Sequence, residues 1–205
     1  MLGPKEKRER ALGVRLGLKG DRSMSPKSAM VRKPYKPGVH GPHGRPKALS
    51  EFGLQLREKN KVKLTYGLDD RNLARIFGQA VALKRALGTA LIELLERRID
   101  NVVYRLGWAP TRGAARQLVV HGHIAVNGHK VVSPGFVTKQ NDVVAVRAGS
   151  ITKAGLSKRR EILKKFEVPA WLSMDADKLE GKVLALPHDI EAPFEINLLV
   201  EAFSK

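Results

Sequence analysis

Arginine and lysine recur one helical turn apart at three places in this chain, and two cations on one helix face can hold a phosphate. Arg112 and Arg116 are the sharpest case. They follow Pro110-Thr111, a helix start that Thr111 can cap, so they project together from the first turns. Free backbone N–H groups at that end can join them around an anion. Lys59 with Lys63, and Arg71 with Arg75, repeat the spacing. Further basic groups, His121, His123, Lys130, Lys139 and Arg147, fall on turns or strand ends, where side chains reach irregular polyanions. Tyr35, His40 and Arg45 belong to the Pro- and Gly-rich run Pro34 to Pro46. All fourteen are candidate nucleic-acid contacts.

Other chemistries find little support. The chain has no cysteine, which removes disulfides, thiolate metal sites and thiol nucleophiles. His40 with His43, and His121 with His123, have no convincing third ligand nearby, so no metal site is expected. No Gly-x-x-x-x-Gly-Lys-Ser/Thr phosphate loop occurs, and no nucleophile, base and orienting acid stand out as a set. No cofactor, catalytic residue or small-molecule substrate is therefore assigned.

The charge distribution names the partner class. Among 205 residues, 38 Lys and Arg face 20 Asp and Glu, a net +18. Residues 1–65 carry +12 and residues 96–160 carry +9, around a nearly neutral stretch and before an acidic end of −4 over 161–205. Two concentrated basic regions suit a polyanion, because each phosphate neutralised releases condensed counterions. No apolar run approaches the roughly 18–20 residues of a membrane span. The opening residues lead into charge rather than a secretory signal, so a soluble, reducing compartment is expected.

The elements that must position these groups are helical at first. Ser50 can cap a helix continuing to Gly67, and Asp69 or Asp70 a second with Leu73, Ile76, Phe77 and Ala80 on one face. Thr89 begins a stripe through Leu95, Ile99, Val102 and Leu106, read as one helix ended by Gly107. A shorter helix spans Arg112 to His121. Asn127-Gly128 between Ile124-Ala125-Val126 and Val131-Val132 signals a hairpin. Phe136-Val137-Thr138 and Val143 to Val146 read as further strands. The result is two helices on a small antiparallel sheet. Residues 1–46 hold 7 Gly and 6 Pro and few core formers, so they are expected to order only on a polyanion.

These residues carry a resemblance. Leu95-Glu96-Arg97-Arg98-Ile99-Asp100-Asn101-Val102-Val103-Tyr104-Arg105-Leu106-Gly107-Trp108, then Thr111-Arg112, Ala115-Arg116-Gln117-Leu118-Val119 and His121-Gly122-His123-Ile124, resemble the RNA-binding module of small-subunit ribosomal protein four. Leu49 to Lys61, Tyr66-Gly67-Leu68, Val168-Pro169-Ala170-Trp171-Leu172 and Leu179-Glu180-Gly181-Lys182-Val183 resemble the flanks of that family, in family order.

The resemblance implies an α+β protein: a helical domain over 49–94 completed by 161–205, with the module inserted at 95–160 and a basic extension at 1–48. It implies a primary binder of small-subunit ribosomal RNA that nucleates the 5′ domain and stays as a structural component. That place is ribosome-bound in the cytoplasm, near where messenger RNA enters, with a part in translational accuracy. Neighbouring small-subunit proteins, protein five among them, and messenger RNA are the implied partners, with no membrane. Many relatives hold zinc on four N-terminal cysteines; Glu6, Glu9, Ser23 and Ser28 stand at the corresponding positions and are poor zinc ligands. The alternative is an RNA-modifying enzyme or another structured-RNA binder sharing the module; the enzyme needs a catalytic domain that the chain after Arg147 is too short to supply. A DNA binder is the other alternative, but no recognition-helix pattern stands out.

Overall fold

The computed structural model describes residues 4–44, 48–150, 159–188, 190 and 193–204. In chain order its helices are α1 Lys5–Leu12, α2 Asp21–Met24, α3 Ala29–Arg32, α4 Glu51–Tyr66, α5 Asp70–Ala82, α6 Leu87–Glu96, α7 Ile99–Arg105, α8 Arg112–Val120, α9 Arg160–Leu163 and α10 Ile196–Ser204. The strands are β1 Ile124–Val126, β2 His129–Val131, β3 Val143–Val146, β4 Leu172–Asp175 and β5 Glu180–Val183. The fold is α+β, in two compact units: Met1–Leu91 with Glu191–Lys205, and Ile92–Ile190.

In the first unit the local signals act as expected. Ser50 Oγ accepts from Gly53 N–H at 3.2 Å to start α4, and Gly67 at φ +66° closes it. Asp69 accepts from Asn72 N–H at 2.7 Å to start α5. The C-terminal α10 packs along α4. Phe203 stacks on Phe77 at 4.6 Å between ring centroids, and Phe194 meets Tyr66 edge-on at 6.4 Å. Gln55 Nε2 donates to Glu201 at 3.2 Å, and Glu195 N–H donates to Glu58 at 3.0 Å. Both chain ends therefore contribute to one helical core.

The second unit holds a five-stranded antiparallel sheet in the order β2-β1-β3-β5-β4. The Asn127-Gly128 turn joins β1 to β2, with Val126 opposite His129, and both turn residues take positive φ as such a hairpin requires. Ile99, Val102, Val103 and Leu106 of α7 and Ala115 and Val119 of α8 pack with Ile124, Val126, Val144 and Val146 of the sheet. Three expectations need correction here. First, the apolar stripe from Thr89 to Leu106 is two helices: Arg98 is extended, at φ −61° and ψ 136°. The following loop docks into that break, with Ile99 N–H donating to the Phe136 carbonyl at 2.8 Å and Thr138 N–H to the Arg97 carbonyl at 2.9 Å. Second, Phe136-Val137-Thr138 is no strand of the sheet; Val137 makes a single bridge to Arg98. Third, residues 161–190 do not complete the helical unit. Gly181 lies opposite Val144 and β4 follows β5, so this stretch extends the module's own sheet. Leu172, Leu179 and Val183 bury their side chains in the module core.

The N-terminal stretch is also more ordered than its composition suggests. α1 packs on α3, and the organising side chain is polar. Glu9 is buried, and its Oε1 accepts the N–H groups of Leu16 at 3.0 Å and Leu18 at 3.1 Å. Buried Ser23 accepts from Lys19 N–H at 3.1 Å, and buried Ser28 accepts from Met30 N–H at 3.3 Å. Glu6 pairs with Arg22 at 3.4 Å and Lys19 at 3.9 Å. The oxygens at the four cysteine-equivalent positions are thus engaged by amides and cations of this chain, and they do not fit a metal centre. A hydrogen-bonded carboxylate holds the loop instead.

Replacing Glu9 by Ala strands two amide donors and should cost the lobe about 2 kcal/mol or more, at roughly 1–3 kcal/mol per unsatisfied buried group. Amide exchange at Leu16 and Leu18 reads it, and Glu9→Gln, which keeps an acceptor, should be milder.

Candidate nucleic-acid interface

Gly122 is the point around which the module gathers cations. It follows α8 at φ +70°, a conformation that disfavours any side chain, and its N–H donates to the Val119 carbonyl at 2.8 Å. Lys130, on β2, lies across it so closely that a Cβ there would sit 2.3 Å from Lys130 Cε. Arg147 donates from Nη1 to the Gly122 carbonyl at 3.0 Å, and its own N–H donates to the His123 carbonyl at 3.0 Å. The His121 and His123 rings stand 6.1 Å apart. Four candidates from three separate places in the sequence thus share one patch. His121, Lys130 and Arg147 are exposed and His123 is half-buried, so the patch presents donors to solvent on a fixed backbone.

Arg112 and Arg116, the pair that spacing favours most, part company. Thr111 caps α8 as expected, accepting from Ala114 N–H at 3.1 Å. Arg112 then turns inward. Its Nε donates to Asn101 Oδ1 at 2.7 Å, its Nη2 lies 3.8 Å from Glu96, and its guanidinium sits 4.5 Å over the Tyr104 ring. Only 18% of its side chain is exposed, so its fork is committed to the protein. Arg116 keeps 43% exposure and a longer 3.5 Å contact to Asp100, which leaves it available to a phosphate. Sequence spacing saw the shared face but not the acids beneath it. Glu96 is fully buried and also takes Arg105 through two bonds of 2.8 and 3.0 Å. Lys139 is exposed in a different turn, where its N–H donates to Asp142 at 2.7 Å.

In the helical unit, Lys59 and Lys63 both meet Asp70. Lys59 lies 3.5 Å from Oδ1 and 4.8 Å over the Phe203 ring, while Lys63 bonds Oδ2. The Lys63 bond, helped by the charge of Lys59, holds the Asp70 carboxyl below its ordinary value of 3.8. Arg71 is exposed, and Arg75 donates to Asn72 at 3.2 Å. Near the N-terminus the Tyr35 carbonyl accepts two bonds from Arg10, whose guanidinium also stacks on the Tyr35 ring at 4.9 Å. His40 is exposed, and Arg45 lies outside the described residues. Helical spacing missed Arg10, Lys27 and Arg32, which meet only through the folding of the N-terminal lobe; the density of basic residues over 1–33 was their one signal.

The family model described as "Ribosomal protein S4/S9 N-terminal domain" matches residues 1–96, and the "S4 domain" matches residues 97–144. A small ribosomal subunit protein uS4 of Caldicellulosiruptor bescii is 46% identical over 206 residues, covering 100% of this chain and 98% of that protein. This chain belongs to the uS4 family. Membership extends over both units, since the uS4 protein of Acetivibrio thermocellus is 45% identical over 94% of this chain and 93% of its own length. The uS4 protein of Thermoanaerobacter sp. (strain X514) is 43% identical over 99% of this chain. This ribosomal protein family is structural rather than catalytic. Among the described residues no helix is long and apolar enough to cross a membrane, and no cluster of three His, Cys, Asp or Glu could hold a metal ion.

Two tests follow from this geometry. Arg112→Ala should destabilise the module by about 2–3 kcal/mol in denaturant unfolding, since it strips a charge partner from buried Glu96. Lys at this position should rescue poorly, because a point charge replaces a stacked planar fork. The Asp70 pair adds stability that is complete above 3.8 and lost as pH falls through the lower folded value. Carboxyl titration by NMR should place the Asp70 midpoint below 3.8, and Lys63→Gln should move it upward.

Proposed function

We propose that this chain is a structural component of the small ribosomal subunit that binds ribosomal RNA. The observation that carries this reading is similarity to uS4 proteins along the whole chain, on a fold whose cations cluster around Gly122. The net charge of +18 supports a partner as densely anionic as RNA. In the finer form of the reading, the protein docks early on the 5′ domain of the RNA and nucleates its assembly. It then remains near where messenger RNA enters, supports translational accuracy and sits beside small-subunit protein five. The cluster around Gly122, with exposed Arg116, takes phosphates, while Arg112 holds the helices that present them. An RNA-modifying activity is not favoured, since the relatives that match along the whole chain are uS4 proteins of the small ribosomal subunit.

Sedimentation of the endogenous protein on a sucrose gradient tests the core of the reading: it should travel with small subunits and with whole ribosomes. A protein found only at the top of the gradient would overturn it. With purified components, His121→Ala/Lys130→Gln should weaken binding to small-subunit ribosomal RNA and lower the magnitude of the salt slope by about 1, at roughly 0.7–0.9 per lost phosphate contact.

A further inference from the structure

Asn127-Gly128 is the one Asn-Gly step in the chain; the five other asparagines precede Lys61, Leu73, Val102, Asp142 and Leu198. An asparagine loses its side-chain nitrogen when the backbone nitrogen of the next residue attacks its Cγ. A side chain on that next residue obstructs the approach, and glycine has none. Both residues are exposed, and no atom lies within 4 Å of where a Cβ on Gly128 would stand, so the approach is open. What opposes the reaction is the placement of the Asn127 carboxamide. Its Oδ1 accepts from Val143 N–H at 2.9 Å, and its Nδ2 donates to Asp142 Oδ1 at 2.9 Å. The partners are themselves fixed. Asp142 Oδ2 accepts from Lys139 N–H at 2.7 Å, its carbonyl accepts from Val183 N–H at 3.0 Å, and the Val143 carbonyl accepts from Asn127 N–H at 2.8 Å. Turning Cγ toward Gly128 therefore breaks two hydrogen bonds, one of them to a carboxylate.

We infer that Asn127 is a latent deamidation site, held as the amide by its clamp to Asp142 and Val143, and that its product cannot rebuild the clamp. When the hairpin opens, the Gly128 nitrogen gives up its proton and attacks Asn127 Cγ. That C–N bond forms as the Cγ–Nδ2 bond breaks, and Nδ2 takes the proton and leaves as ammonia. The ring left behind is a succinimide, which one water opens at either carbonyl to Asp or isoaspartate; nothing is oxidised or reduced. Either product lacks the N–H that Asp142 accepts and sets a second carboxylate against it, and like charges at that spacing repel. Isoaspartate also lengthens the backbone by one methylene. That takes Val126 and His129 out of their pairing, and a hairpin out of register misplaces the side chains of both strands. Lys130 belongs to β2 and lies across Gly122, so the damage reaches the cationic patch. The reaction is one-way, and it marks chains whose module has been open.

The test ages the full chain in mildly alkaline buffer and follows each asparagine by peptide mapping and mass spectrometry, with isoaspartate scored separately. The folded protein should keep Asn127 as the amide, while in urea Asn127 should react before any other asparagine. Asp142→Ala should speed the reaction in native buffer about tenfold, the factor that one hydrogen bond to a charged group supplies. Val119→Ala, which weakens the core of the same module without touching the clamp, gives the rate due to lost stability alone, and Asp142→Ala should exceed it. Asn127→Asp should lower the unfolding midpoint further than Asn127→Ala, since it alone sets a charge against Asp142. Equal rates for Asn127 in native buffer and in urea would overturn the site's protection. So would Asp142→Ala reacting no faster than Val119→Ala, and another asparagine reacting first in urea would remove Asn127 as the site. Equal midpoints for the two Asn127 variants would overturn the clash with Asp142.

Discussion

The module depends on a set of buried charges at the break between α6 and α7. Glu96 is fully buried and held by Arg105, Asn101 and Arg112, while buried Arg98 grips Asp100 through bonds of 3.1 and 2.6 Å. Charges removed from water are costly unless each is paired and hydrogen-bonded. The whole neighbourhood must therefore be in place at once: the start of α7, the face of α8 and the loop that docks on Arg97 and Ile99. This network fixes the angle at which α8 presents Arg116 and ends at Gly122, and so the position of the cationic patch.

The same economy of buried polar groups recurs in the N-terminal lobe. Apolar residues there are too few for a conventional core, yet one carboxylate satisfying two amides gives the turn from α1 a defined path. In each place an acid arranges the cations beside it. Glu96 and Asp100 lie under the α8 arginines, Glu6 steadies Arg22, and Asp70 draws Lys59 and Lys63 together. A protein of net +18 that must remain folded before meeting its polyanion gains from such internal counter-ions, which relieve repulsion and orient the donors. The exposed pairs contribute little to stability in salt; their effect is geometric.

A binder organised in this way divides its basic residues into two populations. Arg105, Arg112 and Arg98 face acids and behave as framework. Lys130, Arg147 and Arg116 keep exposed side chains. Since counterion release counts contacts made rather than cations carried, the salt dependence of binding should be smaller than the sequence charge alone implies.

Local chemistry was legible in the sequence. The caps at Ser50, Asp69 and Thr111, the turn at Asn127-Gly128, the helix–sheet composition of the module and the polyanionic partner all rest on interactions within a few residues or on summed charge. Periodicity also identified the apolar faces that form the two cores. Three things had to wait for the tertiary structure. The stripe from Thr89 to Leu106 reads as one helix because its apolar spacing continues through Arg98; only a loop some forty residues on breaks it. Strands β4 and β5 join the module because their pairing partner is β3, a long-range match that local pattern does not encode. Arg112 and Arg116 share a face and a spacing, and what separates them is the buried carboxylate each one meets. Sequence thus supplied which groups could hold a phosphate. Which of them stay free was decided by burial and by acids distant along the chain, because a cation's availability is a property of its neighbours in space.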